Sequence, residues 1–179
     1  MDKTPRGTAF IHLRRRLDRW NLCILPGHRP ARAEKAMRII GKQLTPKVLA
    51  AYIRLICNGW CTSRRFQGRL GCRFGCGGEQ DSVEHFAYCS KLRTCFSRDL
   101  CLTSPALGYE LDEFLCMCSL NSAHDHAALT HAIVLRAVAC YATFRAHNGL
   151  RCGDVSAEHW EAAFSRFVRE GLQGYNIIE

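Results

Sequence analysis

Four potential metal ligands lie close together in the sequence, in the pattern Cys-x3-Cys-x8-His-x3-Cys. They are Cys72, Cys76, His85 and Cys89. Thiolate and imidazole are the ligands that Zn²⁺ prefers, and structural zinc sites fill all four tetrahedral positions with protein side chains. The spacing therefore predicts one tetrahedral zinc ion. The alternative is that the pattern arose by chance in a chain with 12 cysteines.

The residues around these ligands predict a loop followed by a helix. Glycines flank the second cysteine, where a chain that folds tightly around a metal needs backbone angles that side chains disfavour. Asp81, followed three residues later by Glu84, forms a capping-box pattern at the start of a helix. On such a helix His85 and Cys89 are four residues apart, so both would project from one face.

Two further stretches connect this segment to a known family. IRLICNGWCTSRRFQ spans residues 53–67, and DSVEHFAYC spans residues 81–89. Together with the Cys pair between them, they resemble the zinc-binding segment downstream of the polymerase domain in reverse transcriptases of non-LTR (LINE-type) retrotransposons. The resemblance covers about residues 46–95. The chain departs from the family in two spacers, since three residues separate the first Cys pair where two are usual, and three precede the last Cys where four are common.

The resemblance implies a function connected with nucleic acid. The reverse transcriptases that carry this segment copy the RNA of the retrotransposon into DNA at a nicked target. This chain lacks the paired aspartates that the resemblance would require for polymerase chemistry, so it is expected to be a non-catalytic tail, without the polymerase domain. The Pro-Cys-x-x-Cys pattern of zinc deaminases is also absent from the sequence.

Charge is distributed unevenly along the chain. Residues 1–73 hold 17 Lys/Arg and 3 Asp/Glu, which is a net charge of +14. The remainder carries −5, so the total net charge is +9. A basic region without nearby acids is typical of a polyanion-binding surface, and arginine suits phosphate in particular. The candidate nucleic-acid-binding residues are Arg14, Arg15, Arg16, Arg19, Arg64, Arg65 and Arg69. The alternative is a solvated basic face or a disordered arm.

Three functional hypotheses follow. The first is a zinc-stabilised module that binds RNA or DNA mainly through phosphates. The second is a structural or protein-interaction domain, in which zinc staples helices and the basic arm docks on an acidic partner or a larger complex. The third, a small metalloenzyme, requires a metal site with an open, water-bound position.

A second group of potential ligands lies within eleven residues. It consists of Cys116, Cys118, His124 and His126. Neighbours spaced by two residues lie on different sides of a helix, so only an irregular loop could bring them together. The alternative is a set of surface histidines near a helix start.

Helical periodicity dominates and no strand-type alternation competes with it, which predicts an all-α fold with an embedded zinc-binding loop and helix. We expect a basic N-terminal arm with one or two helices over residues 1–45, and a helical domain over 46–179. The predicted helices cover residues 11–25 and 31–42, a stretch that starts at Thr45-Pro46 and stops at Asn58-Gly59, residues 111–120, a long helix from Asn121 or Ser122 to Asn148-Gly149, and a last helix from Ser156 to Gly171. Residues 91–102 are ambiguous.

The N-terminus lacks the apolar region of a signal peptide, which predicts an intracellular location, the nucleus included. Reduced cysteines then favour metal binding over disulfides. Six cysteines are expected to be small buried hydrophobes. They are Cys23, Cys57, Cys95, Cys101, Cys140 and Cys152. A membrane-spanning role for the long helix is disfavoured because His131 and Arg136 interrupt it.

Overall fold

The structure is a computed structural model that describes residues 6–68, 70–77, 80–102, 110–117 and 126–175, the side chains of residues 6–10 excepted. Across this part of the chain there is no β-strand, and the all-α prediction is confirmed. The helices are α1 (Arg6–Leu17), α2 (Arg29–Gln43), α3 (Pro46–Ile56), α4 (Val83–Tyr88), α5 (Ser90–Leu100), α6 (Glu110–Phe114), α7 (His126–Cys152) and α8 (Trp160–Gly171). Short 3₁₀ turns occupy Pro26–His28 and Arg64–Phe66.

Helix α7 is the centre of the fold. It packs against α2, α3, α5, α6 and α8. Its buried side chains include Ile133, Val134, Ala137 and Val138, so small and branched residues let neighbouring helices approach it closely. By length and composition α7 could cross a membrane, but half of its apolar window is buried inside the fold. Core helices commonly meet that criterion.

Trp60 joins the end of α3 to the segment that carries the predicted zinc ligands. The side chain is fully buried, and its indole N–H donates to the Ala51 carbonyl at 3.3 Å. Its ring centroid lies 6.1 Å from Phe86 on α4, 6.2 Å from Phe114 on α6 and 5.3 Å from Phe144 on α7. Aromatic contacts at these distances add to the burial of the rings, so four elements meet at one side chain.

The loop between α1 and α2 belongs to the same core. The buried Arg29 donates to the carbonyls of Leu22 and Ile24, both at 2.9 Å. The carboxylate of Asp112 on α6 accepts the amides of Cys23 at 3.0 Å and Ile24 at 3.1 Å. Part of the predicted N-terminal arm is therefore built into the core, and the boundary predicted at residue 45 falls between α2 and α3, which pack together.

Several helix ends match the local signals in the sequence. Helix α3 begins at Pro46 after Thr45, and α8 ends at Gly171, as predicted. Asn58 takes a left-handed conformation with φ 54° just after α3. The ambiguous residues 91–102 mostly form α5, which ends at the left-handed Cys101.

Other predicted ends are wrong because tertiary contacts decide them. The first helix ends at Leu17 rather than near residue 25, since Arg29 holds the following loop through its carbonyls. Helix α7 continues through Gly149 to Cys152. Helix α8 begins at Trp160 rather than directly after Ser156, whose hydroxyl pairs with His159 Nδ1 at 2.8 Å inside a turn.

The remaining sequence predictions have mixed outcomes. The sequence predicts a helix over residues 111–120, and helix α6 ends at Phe114. Residues 118–120 and the predicted caps Asn121 and Ser122 lie outside the described residues. Two of the six cysteines expected inside, Cys95 and Cys140, are buried. The other four, Cys23, Cys57, Cys101 and Cys152, are exposed, because they lie in loops or at helix ends.

We expect Gly149→Ala to destabilise the fold by about 1–2 kcal/mol, because overpacking outweighs alanine's better helix propensity. A methyl group at this position would lie 2.5 Å from Cγ2 of Val155, a stiff β-branched side chain. Chemical denaturation measures the change. Gly27→Ala is the matched control, since nothing lies within 4 Å of an added methyl group there.

The double variant Gly149→Ala with Val155→Ala tests the cause. If the two side chains collide, its loss of stability is smaller than the sum of the single losses by at least about 0.5 kcal/mol. A Gly149→Ala protein as stable as the parent would contradict the close approach.

Candidate metal centre

The four predicted ligands converge in the structure. The sulfur atoms of Cys72 and Cys89 are 3.8 Å apart, and Cys76 Sγ lies 3.1 Å from His85 Nε2. All four ligand atoms lie within 4.8 Å of one another. Two thiolates on one tetrahedral zinc, each with a bond of about 2.3 Å, would have sulfurs roughly 3.8 Å apart. The cluster is therefore compatible with one zinc ion.

The loop that carries the first two ligands turns tightly. The amide of Gly75 donates to the carbonyl of Cys72 at 3.1 Å. Gly75 and Gly77, on either side of Cys76, have φ values of 73° and 78°. Only glycine adopts this region without strain, so the two glycines let the chain reverse around the second ligand.

Helix α4 presents the third ligand and leads to the fourth. Its cap is Ser82, whose hydroxyl accepts the His85 amide at 3.1 Å, so the capping box predicted at Asp81 is wrong by one residue. Asp81 is directed into the core instead, which leaves the next side chain to cap the helix. Glu84 pairs with Arg64 at 2.9 Å, and Cys89 lies at the junction of α4 and α5.

Asp81 fixes the position of this loop, a role that sequence reasoning missed. Its Oδ1 lies 2.9 Å from Nε2 of His147 on α7, and its Oδ2 accepts the Ser63 amide at 2.9 Å. The side chains of Asp81 and His147 are 1% and 0% exposed. Burial raises the pKa of Asp81, but His147, the Ser63 amide and the charge of Arg73 together outweigh it, so the net pKa is lowered. The ligand loop, the 63–66 turn and α7 are thus held together.

Without a metal, the cluster favours the zinc-binding form at Cys89 and His85 but keeps the thiol of Cys72 protonated. The hydrogen bond with Cys89 raises the pKa of Cys72 far above its usual range, with burial adding to it, and the same bond lowers the pKa of Cys89. Burial lowers the pKa of His85, which favours the neutral imidazole. Since zinc binds thiolate and neutral imidazole, a metal entering this cluster displaces the proton that the two thiols share.

The arginines predicted to bind nucleic acid lie at two places. Arg14, Arg15, Arg16 and Arg19 are exposed at and after the end of α1. Arg64 and Arg65 lie on the exposed 3₁₀ turn before the ligand loop, and Arg69 is outside the described residues. Two of them have acidic partners, Arg14 with Asp18 at 3.7 Å and Arg64 with Glu84.

The second group of potential ligands is only partly described. Cys116 is buried, and its Sγ lies 3.9 Å from the Ile133 carbonyl. His126 is exposed at the start of α7 and contacts Thr130 at 3.3 Å. Cys118 and His124 lie outside the described residues, so this group stays a prediction.

Comparison of the chain with protein-family models, with curated proteins and with solved structures finds no match. The resemblance to the zinc-binding segment of non-LTR reverse transcriptases accordingly rests on the residues between 46 and 95.

We expect purified protein to contain one zinc per chain, and Cys72→Ser and His85→Ala to lose it. Removing one of four ligands opens the tetrahedral shell, and because metal binding contributes to folding, chelation should cost several kcal/mol of stability. Elemental analysis and denaturation measure both. Cys57→Ser, at an exposed cysteine outside the cluster, should keep the full metal content. Full zinc in both ligand variants would refute the assignment.

Asp81→Asn should lower the stability at neutral pH by about 3 kcal/mol, because it removes one charge from a buried pair. A carboxylate whose pKa is lowered on folding stabilises the fold above its unfolded pKa, and this contribution is lost as pH falls through the lowered value. The difference in unfolding free energy between parent and variant should therefore become smaller below about pH 4.

The comparison uses denaturation over a pH series with the same total zinc in both proteins, so that loss of the metal in acid is shared. Glu34→Gln, which breaks an exposed pair with Arg38, is the control and should cost less than about 1 kcal/mol. A difference in unfolding free energy that stays constant down to pH 2 would show that the charge of Asp81 does not contribute to stability.

Proposed function

We propose that this chain is a zinc-stabilised nucleic-acid-binding module that contacts RNA or DNA mainly through phosphates. The observation that carries the proposal is the exposure of arginines without acidic partners in the N-terminal part of the chain. Arg15, Arg16 and Arg19 are exposed, and among the described residues none of them forms an ion pair. Lys35 and Lys42 on α2 share this property.

In the acidic half of the chain, three arginines form ion pairs. Arg98 pairs with Asp99 at 2.8 Å and with Glu161 at 3.1 Å. Arg136 pairs with Glu113 at 2.8 Å, and Arg145 lies 3.4 Å from Glu170. These three cations are neutralised within the fold. Arg151, Arg166 and Arg169 in the same half are exposed without an ion pair among the described residues, but they lie in a part of the chain with a net charge of −5, whereas the arginines near α1 lie in a part with +14. Unpaired arginines are well suited to grip phosphate, and such contacts supply most of the affinity of non-specific binding.

In this proposal the zinc is structural. The ligands come from one loop, from α4 and from the α4–α5 junction, so one ion would join three consecutive elements. Four protein ligands leave no position for an activated water, which supports a non-catalytic role. The ion would keep the 63–66 turn, with Arg64 and Arg65, in a fixed position beside the loop.

The resemblance to the tail of non-LTR retrotransposon reverse transcriptases supports the same function, since those enzymes act on RNA and nicked DNA. An intracellular site of action, the nucleus included, is part of the proposal.

Binding to duplex DNA should weaken with salt. If about five arginines neutralise phosphates, log affinity falls against log salt with a slope of about −4.5, at about −0.9 per contact. Changing Arg15, Arg16 and Arg19 together to Ala should make the slope shallower by nearly 3 units. It should also weaken binding to all DNA sequences to the same extent. Anisotropy titrations over a salt series measure the slope. Substitution is preferable to truncation, since Leu17 and Trp20 belong to the core.

The matched control changes Arg151, Arg166 and Arg169 to Ala, which removes the same charge from exposed positions in the acidic half. It should leave the slope within about 1 unit of the parent. Equal effects of the two triple changes would show that only total charge matters. Absence of binding at low salt would favour a structural or protein-interaction domain.

A further inference from the structure

Phe66 is the one aromatic side chain in the described part of residues 53–77 that faces solvent. It is 66% exposed, whereas Trp60 and Phe74 are 0% and 1% exposed. Trp60 and Phe74 thus belong to the core, and Phe66 does not. A single exposed aromatic is common on protein surfaces, so its neighbours must decide whether it has a function.

The turn that carries Phe66 is fixed from both sides. The Ser63 amide donates to Asp81, and the amides of Phe66 and Gly68 donate to the Ser63 carbonyl at 3.1 Å and 2.7 Å. Gln67 closes the turn in a left-handed conformation with φ 59°. The backbone that carries the ring is thus held in place before any ligand arrives, which lowers the entropy cost of binding.

One cation lies beside the ring. The guanidinium carbon of Arg65 lies 5.8 Å from the Phe66 ring centroid. Residues 48–73 hold five arginines and no acid, and one of the five, Arg64, pairs with Glu84 while its side chain stays 55% exposed. An exposed aromatic face next to cations offers stacking to a base and charge to the adjacent phosphate.

We propose that Phe66 stacks on an unpaired base while Arg65 contacts the neighbouring phosphate, so that the preferred ligand is a single strand. This inference rests on the proposed nucleic-acid function and names its substrate class. In a duplex the bases are already stacked inside the helix, and a fixed surface ring cannot reach their faces. Every base has a π-face, so single-stranded RNA and DNA share the chemistry and sequence is read weakly.

The test measures anisotropy of labelled oligothymidylate, of oligouridylate of the same length and of a duplex with the full, zinc-loaded chain. Phe66→Ala should weaken binding to the single strands about 5- to 100-fold and change duplex binding less than twofold. The salt slope should not change, because no phosphate contact is lost. Arg65→Ala should instead make the single-strand slope shallower by about 0.7.

Two further variants separate stacking from general apolar contact. Phe66→Trp should retain the single-strand affinity of the parent. Phe66→Leu should bind single strands almost as weakly as Phe66→Ala does. Leu25→Ala, at a side chain 69% exposed in the same basic half, is the control and should leave binding unchanged. Zinc content, measured for every variant, confirms an intact centre.

The outcomes distinguish the two proposals. If the arginine changes weaken binding but Phe66→Ala does not, stacking is wrong and the phosphate-binding function stands. If Phe66→Leu binds as well as the parent, the contact is apolar and stacking is also wrong. If the parent chain binds no single strand or duplex at low salt, both proposals fail together.

Discussion

A buried hydrogen bond between Asp81 and His147 holds the ligand loop against the central helix α7. Removing two charged or polar groups from water is unfavourable unless they are well paired, and here the second carboxylate oxygen is satisfied by the Ser63 amide. The bond connects residues 66 positions apart in the chain. Because of it, the ligand loop, the 63–66 turn and the central helix α7 form one unit, and the cysteines can meet only where this unit places them.

This arrangement relates the metal centre to the surface. A zinc ion in the cluster would close the loop between Cys72 and Cys89, while Asp81 ties the same loop to the turn that presents Arg65 and Phe66. Stability therefore comes from buried contacts, and the basic side chains remain outside them. In the C-terminal half some arginines are paired within the fold, as Arg98 and Arg136 are. The two halves differ in net charge, which is +14 over residues 1–73 and −5 over the remainder.

Features set by neighbouring residues could be predicted from the sequence, and features set by distant contacts could not. The ligands lie within one short segment, so their spacing was sufficient to predict that they converge, and Pro46 and Gly171 mark helix ends by their own backbone chemistry. The inward position of Asp81 depends on a histidine far along the chain, which shifted the cap to Ser82. Gly149 remains inside α7 because Val155 packs against it, and the exposure of Phe66 followed from no local pattern.

X-ray absorption at the zinc edge of the purified chain measures whether these four side chains hold one closed zinc site. We expect three sulfur ligands at about 2.3 Å and one nitrogen at about 2.0–2.1 Å, with no bound water. A shell dominated by oxygen and nitrogen, or one that keeps three sulfurs after Cys72→Ser, would contradict it.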